Sequence, residues 1–185
     1  MKVKVGVMGS ANDTLPDGVT DVVREKAEAL GRALAARDVL LLTGATTGLT
    51  YIVGRSAREA GAFHLGISPA SDEREHAERY NLPLDSCDAI IYTGFGLKGR
   101  NVVLVRSCDV VLFIGGSIGS LNEFTIAHDE GRVVGCLTGT GGVADEAERL
   151  LQIFPKKTQA CVLHGDDPAR LLAACLEEFE QTRRE

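Results

Sequence analysis

Val110-Val-Leu-Phe-Ile-Gly-Gly-Ser-Ile-Gly-Ser-Leu-Asn-Glu123 is the stretch whose reading decides the fold. Five apolar residues, Val110 to Ile114, stop at two glycines. An amphipathic pattern starts again at Leu121, with the carboxylate of Glu123 in its first turn. The pattern predicts a buried strand, a tight turn and a helix, the repeating unit of a parallel α/β sheet. Such a turn presents backbone N–H groups at the positive end of a helix dipole, which suits an anion such as phosphate. A carboxylate beside an anion site either caps the helix or takes part in chemistry. Ser120-Leu-Asn-Glu123 has the spacing of a capping box, with Ser120 as N-cap and Glu123 three residues on. Spacing alone therefore favours the cap.

The same unit recurs along the chain. Short β-branched runs stand at Val3–Met8, Val39–Thr43, Phe63–Ser68, Ala89–Thr93, Val110–Ile114, Val133–Leu137 and Cys161–Leu163. Apolar residues at helical spacing lie between them. Val19, Val22, Val23, Ala27, Leu30 and Leu34 form one face; Leu171, Leu172, Cys175, Leu176 and Phe179 form another. The alternation predicts a doubly wound, Rossmann-like α/β fold, a parallel sheet of about seven strands with helices on both faces. A length of 185 residues suits a single domain over 1–185. The longest polar insert is Ser71–Ser86. It reads as a solvated loop or as a lid, with a short helix near Asp72–Tyr80, where Asp72 and Glu75 have capping-box spacing.

Composition narrows the function. The net charge is −6 and no Lys/Arg block occurs, so neither nucleic acid nor an anionic membrane is an expected partner. No apolar run reaches membrane-spanning length, since Arg106 and Asp109 interrupt even Val102–Ile114. Met1-Lys-Val-Lys-Val-Gly-Val-Met8 is too short and broken for a signal peptide. The five cysteines form no CxxC pair and read as reduced core thiols of a cytoplasmic protein. His64, His76, His128 and His164 lack neighbours at ligand spacing, so no metal is expected and no cofactor is required.

Glycines cluster after the strands: Gly9-Ser10, Gly44-Ala-Thr-Thr-Gly48, Gly94-Phe-Gly-Leu-Lys-Gly99, Gly115-Gly116 and Gly139-Thr-Gly-Gly142. In a parallel sheet all five loops crowd one rim, where ligands of such folds bind, and a phosphate-bearing nucleotide is the expected ligand. Gly94–Gly99 matches G-x-G-x-x-G, but it does not follow the first strand. The next strand ends at Gly115-Gly116 without an acid for a ribose, which argues against NAD. A P-loop fails because no lysine precedes the serine in Gly115–Ser120. What remains is Arg100 after the fourth strand and Glu123 after the fifth. If those strands are neighbours, both side chains overhang one crevice. The plain alternative for Arg100 is a surface ion pair, and for Ser117 and Ser120 a turn or cap role.

Arg100-Asn101, followed at Ser107 by Ser-Cys-Asp109-Val-Val-Leu-Phe-Ile-Gly-Gly-Ser-Ile-Gly-Ser-Leu-Asn-Glu123, resembles the LONELY GUY (LOG) family, long labelled lysine decarboxylase-like. That family carries an arginine segment, a strand and then P-G-G-x-G-T-x-x-E. Val5-Gly-Val-Met-Gly-Ser10 and Thr43-Gly-Ala-Thr-Thr-Gly-Leu49 resemble its first two strand ends. The resemblance implies hydrolysis of the N-glycosidic bond of a nucleoside 5′-monophosphate, giving free base and ribose 5-phosphate. Arg100 and Glu123 would then be catalytic. Gly9, Ser10, Gly44, Gly48, Gly115, Gly116, Ser117, Gly119 and Ser120 would hold the ligand. It also implies a homodimer or a higher homo-oligomer, with the site near the subunit interface.

Gly139-Thr-Gly-Gly-Val-Ala-Asp145 resembles a loop in a branch similar to molybdenum-cofactor carrier proteins. That likeness implies the alternative of a non-catalytic nucleotide sensor, or a carrier of a phosphorylated cofactor such as molybdopterin. Three positions depart from the LOG pattern: Gly115 for Pro, Ser117 for Gly and Ser120 for Thr. Leu97-Lys98-Gly99 also lacks the histidine often found before the arginine. A decarboxylase of the old label would need a lysine Schiff base to PLP. Lys98, the one lysine in a rim loop, is expected to meet solvent or phosphate instead.

Overall fold

The computed structural model describes residues 1–11 and 19–184. Seven strands form one sheet: β1 (Val3–Gly9), β2 (Val39–Thr43), β3 (His64–Ser68), β4 (Ala89–Tyr92), β5 (Val110–Ile114), β6 (Val133–Leu137) and β7 (Cys161–Gly165). All six pairings are parallel, in the order β4-β3-β2-β1-β5-β6-β7. Each predicted run is a strand, with ends moved by a residue or two. The central strands β5 and β6 are buried at every position, as near-continuous apolar runs require, whereas the edge strands β4 and β7 are partly exposed.

Helices α1 (Asp21–Ala35), α2 (Leu49–Glu59) and α6 (Pro168–Thr182) cover one face. Ala27, Leu30, Leu34, Val53, Ala57, Leu171 and Leu172 pack there against Val5, Val7, Leu41 and Leu112. Helices α3 (Gly96–Arg106), α4 (Ile118–Asp129) and α5 (Gly142–Ile153) cover the other. Leu104, Val105, Phe124, Ala127, Ala144 and Ala147 pack there against Met8, Leu42, Val111 and Phe113. Val111 and Phe113 belong to one core and Leu112 and Ile114 to the other, the period-2 alternation of a strand buried on both sides. The fold is therefore the predicted doubly wound α/β sheet. Among the described residues no helix is long and apolar enough to cross a membrane.

The strand order corrects one expectation. β4 and β5 are not neighbours: β3, β2 and β1 lie between them. Strand order reverses at β1, where β2 lies on one side and β5 on the other. The crevice at such a switch point opens at the carboxyl ends of β1 and β5. The β4–β5 connection passes back over three strands, and α3 ends that passage beside α4. Crossover, rather than strand adjacency, is what can bring Arg100 to Glu123.

A second correction concerns the start of α4. It begins at Ile118, with Ser117 as its N-cap residue, and no side chain caps it. The Ser120/Glu123 capping box does not form. The Ser120 hydroxyl instead donates to the Gly9 carbonyl, at 3.1 Å. Glu123 consequently stands in the second turn of α4, facing the crevice. The other capping box does form in half. Asp72 Oδ1 accepts from the Glu75 N–H at 2.8 Å, while the Glu75 carboxylate accepts from the N–H of Ser71, also at 2.8 Å. This box opens a π-helical turn, Glu75–Arg79. The His76 ring, fully buried, ties it down by bridging Ser68 Oγ (2.8 Å) and the Pro83 carbonyl (3.1 Å). The Ser71–Ser86 insert is thus anchored to β3.

Candidate functional site

At the switch point lies a cavity of about 600 Å³, of the size that small-molecule sites have. Its floor is Val7, Met8 and Gly9 of β1. One wall is Gly44, Thr46, Thr47 and Thr50; another is Lys98, Arg100 and Asn101 of α3; a third is Ser117, Gly119, Ser120 and Glu123 of α4. Tyr80, Asn81 and Leu82, from the anchored insert, close the remaining side with Leu97.

Arg100 and Glu123 meet at the base of this cavity. Both are nearly buried, at 5% and 6% exposure, with Arg100 Nη1 3.6 Å from Glu123 Oε1. Burial pushes the Glu123 carboxyl up to about 7, against the opposing pull of Arg100 and then Lys98. Burial likewise lowers the Arg100 guanidinium from its usual value, while Glu123 raises it. A guanidinium stays charged through such shifts. A carboxyl near 7 can both take and give a proton at neutral pH. Arg100 Nε is buried and has no hydrogen-bond partner among the described residues. A buried donor left unmet costs about 1–3 kcal/mol unless a ligand or water meets it.

The arginine reaches this position because residue 44 has no side chain. A Cβ on Gly44 would fall 1.8 Å from Arg100 Nη1. The guanidinium fills the space a side chain would take there, just past the end of β2. Gly9 has a parallel reason: a Cβ there would fall 2.3 Å from the Ile114 carbonyl oxygen, where β1 and β5 converge.

The turn after β5 is held from behind. Gly115 and Gly116 adopt φ of 63° and 115°, open to glycine and strained for other residues. Their N–H groups donate to Thr140 Oγ1 and Ser10 Oγ, at 2.8 and 2.7 Å. Their carbonyls accept from the N–H groups of Ala144 and Val143, at the start of α5. The N-terminus of α5 is thus used inside the protein. Asp145 closes the Gly139–Gly142 loop by accepting from the N–H groups of Gly139 and Gly141, at 2.7 and 2.9 Å. That loop is a brace for the turn. The first intrahelical bond of α4 runs from the Leu121 N–H to the Ser117 carbonyl, at 2.8 Å. The N–H groups of Ile118, Gly119 and Ser120 precede it and, among the described residues, have no hydrogen-bond partner at the helix's positive end.

The sequence-selected residues therefore divide. Arg100, Glu123, Gly9, Gly44, Ser117, Gly119 and Ser120 come together on the cavity. Ser10, Gly48, Gly115 and Gly116 stand behind it as scaffold. Gly48 has φ of 79°, and the Leu49 N–H after it donates to the Ser10 carbonyl at 2.9 Å. Ser117 sits at φ −113°, ψ −159°, ordinary extended backbone, so a side chain there needs no altered turn. Gly115 is different: proline fixes φ near −65°. The turn as it stands cannot carry the proline of P-G-G.

Cavity residues that the sequence reading did not select include Asn101, Tyr80, Asn81 and Leu82. Asn101 carries no motif of its own, but it adjoins Arg100 and is 3% exposed. Asn81 has φ of 51°, unusual for a residue with a side chain, and nothing in its local sequence marks it.

Comparison with known proteins agrees with this architecture. The chain belongs to the SLOG cluster4 family, which matches residues 2–172. The family match and the similar structures support a Rossmann-like fold of the SLOG superfamily; they do not confirm the LOG family that the sequence resembles. An uncharacterised protein of Archaeoglobus fulgidus is 29% identical over 133 residues, covering 72% of this chain and 81% of that one. The crystal structure of the protein TM1055 superimposes with a TM-score of 0.79 at 28% identity, covering 96% of this chain and 99% of that one. A structure titled Moco carrier protein, from Chlamydomonas reinhardtii, gives a TM-score of 0.76 at 26% identity, covering 98% and 99%.

Proposed function

We propose that the cavity binds a nucleoside 5′-monophosphate or a closely similar phosphorylated heterocycle. The observation that carries this reading is Arg100. A buried cation with an unmet Nε faces a cavity that also receives the open N-terminus of α4. Phosphate fits the N–H groups of Ile118–Ser120, with Lys98 beside them; a Cβ on Gly119 would lie 3.8 Å from Lys98 Nζ. The sugar then falls toward Glu123, and the base toward Tyr80–Leu82 and the threonines after β2.

In this arrangement Glu123 can act on the N-glycosidic bond. Cleavage builds positive charge on the ribose, which a nearby carboxylate stabilises, and the same group can take a proton from the attacking water. Arg100 holds the carboxylate and binds a substrate oxygen. Hydrolysis of the LOG type is therefore the first reading. The second is a carrier or sensor that binds without turnover. The Gly115 backbone favours it, being closed to the proline of the LOG pattern, as does the 26% identity to a Moco carrier protein.

A panel of nucleoside 5′-monophosphates, scored for binding by calorimetry and for free base and ribose 5-phosphate, separates these readings. Turnover that is lost in Glu123→Gln supports hydrolysis. Saturable binding without turnover supports the carrier or sensor. Neither binding nor turnover for any phosphorylated nucleoside or pterin would overturn both.

A further inference from the structure

Asn101 follows Arg100 on α3 and is 3% exposed. One atom of its side-chain amide lies 2.9 Å from the Leu97 carbonyl oxygen and 3.1 Å from Glu123 Oε1. A carbonyl oxygen only accepts. Placing the amide nitrogen at this point satisfies both neighbours; placing the amide oxygen there sets acceptor against acceptor. The amide oxygen then lies 2.9 Å from the Oδ1 position of Asn122, which is satisfied when the Asn122 amide turns with it to present its nitrogen, and the longer 3.4 Å approach to the Gly119 carbonyl is given up. Asn101 is thus oriented by the α3 backbone before it meets Glu123, and its second N–H is aimed at one carboxylate oxygen.

Arg100 Nη1 approaches that same Oε1, at 3.6 Å. Both partners among the described residues therefore converge on one oxygen, and Oε2 is left for whatever enters the cavity. Among the described residues, the charged and titratable groups facing the carboxyl are Arg100 and Lys98 from α3, together with the Cys108 thiol between α3 and β5. Burial raises that thiol to about 12, so it carries no charge at neutral pH. β1 brings only Val7, Met8 and Gly9 to the cavity.

We propose that Asn101 is the positioning residue of this site: its amide fixes Glu123 Oε1, favours the ionised carboxylate and turns Oε2 toward the ligand. The proposal rests on Glu123 being the titrating group of the site. It does not depend on which ligand binds.

The test is a titration of ligand-free protein labelled with ¹³C at the glutamate carboxyls, followed by NMR. Glu123→Gln identifies the Glu123 signal. In Asn101→Leu, similar in shape but without a donor, the Glu123 midpoint is expected to rise by about one to two pH units, the worth of a hydrogen bond to a charged group. Asn101→Asp keeps the size and polarity should the leucine variant fail to fold. It sets an acceptor against the carboxylate, and the midpoint is expected to rise at least as far. An unchanged or lowered midpoint in a folded variant overturns the proposal. Failure of every nucleotide to bind wild type would overturn the proposed function and leave this result standing.

Discussion

The Glu123 carboxyl makes a measurable claim on stability. Its ordinary value of 4.5 is raised to about 7 by burial, although Arg100 and Lys98 oppose the rise. A carboxyl raised on folding binds its proton more tightly in the folded state. Folding is therefore unpenalised by this group below about pH 4.5, where both states are protonated. The penalty grows as pH rises between the two values and is complete above the folded one. The difference corresponds to about 3 kcal/mol, an order-of-magnitude figure for a nearly buried group. Glu123→Gln keeps the shape and cannot ionise. Urea unfolding of both proteins at intervals from pH 4 to 8 isolates the effect, because all other titrating groups are shared. Wild type is expected to lose stability relative to Glu123→Gln as pH rises through this window. The pull of Arg100 acts only on the ionised carboxylate and is already contained in the value of about 7, so it adds no separate contribution to that slope. A difference that is flat, or that rises in favour of wild type between pH 4.5 and 7, would refute the assignment of a buried, protonatable Glu123.

Three further outcomes are expected. Gly44→Ala puts a Cβ 1.8 Å from Arg100 Nη1, where ordinary contact begins at 3.4 Å, so the guanidinium must yield by about 1.6 Å. The variant is expected to lose ligand binding and about 1–3 kcal/mol in urea unfolding, as overpacked sites do. Thr140→Val keeps the shape but removes the acceptor of the Gly115 N–H. It should lose about 1–3 kcal/mol by the same assay and weaken ligand binding through the displaced turn. Lys98→Ala removes an exposed cation. Calorimetry should show phosphate-ligand binding weakened on the order of tenfold and less sensitive to salt, with stability within about 0.5 kcal/mol of wild type.

Much of this molecule was legible from residues alone, and the reasons are physical. Strands buried on both faces write themselves as unbroken apolar runs, and Val110–Ile114 could be read as nothing else once glycines bounded it. The rim of glycine loops followed from parallel topology. Local spacing failed where a distant group intervened. Ser120 and Glu123 have the spacing of a capping box, but the Ser120 hydroxyl is drawn to the Gly9 carbonyl across the crevice. No window around residue 120 contains that partner. Gly115 and Gly116 looked like ligand contacts because their N–H groups were assumed free; Ser10 and Thr140 take them, from 106 and 25 residues away. The Arg100–Glu123 meeting was anticipated for the wrong reason. It arises because α3 crosses back over β3, β2 and β1, and strand order is not written in any one strand. Asn101 and Tyr80–Leu82 enter the site only through that crossover and through the buried anchor of His76.

The most direct measurement is a crystal structure of the protein soaked with a nucleoside 5′-monophosphate. The expected result is a phosphate within hydrogen-bond reach of the N–H groups of Ile118, Gly119 and Ser120, with the sugar beside Glu123 Oε2. A phosphate bound elsewhere, or an empty cavity at a concentration that saturates binding in solution, would contradict the placement of the site.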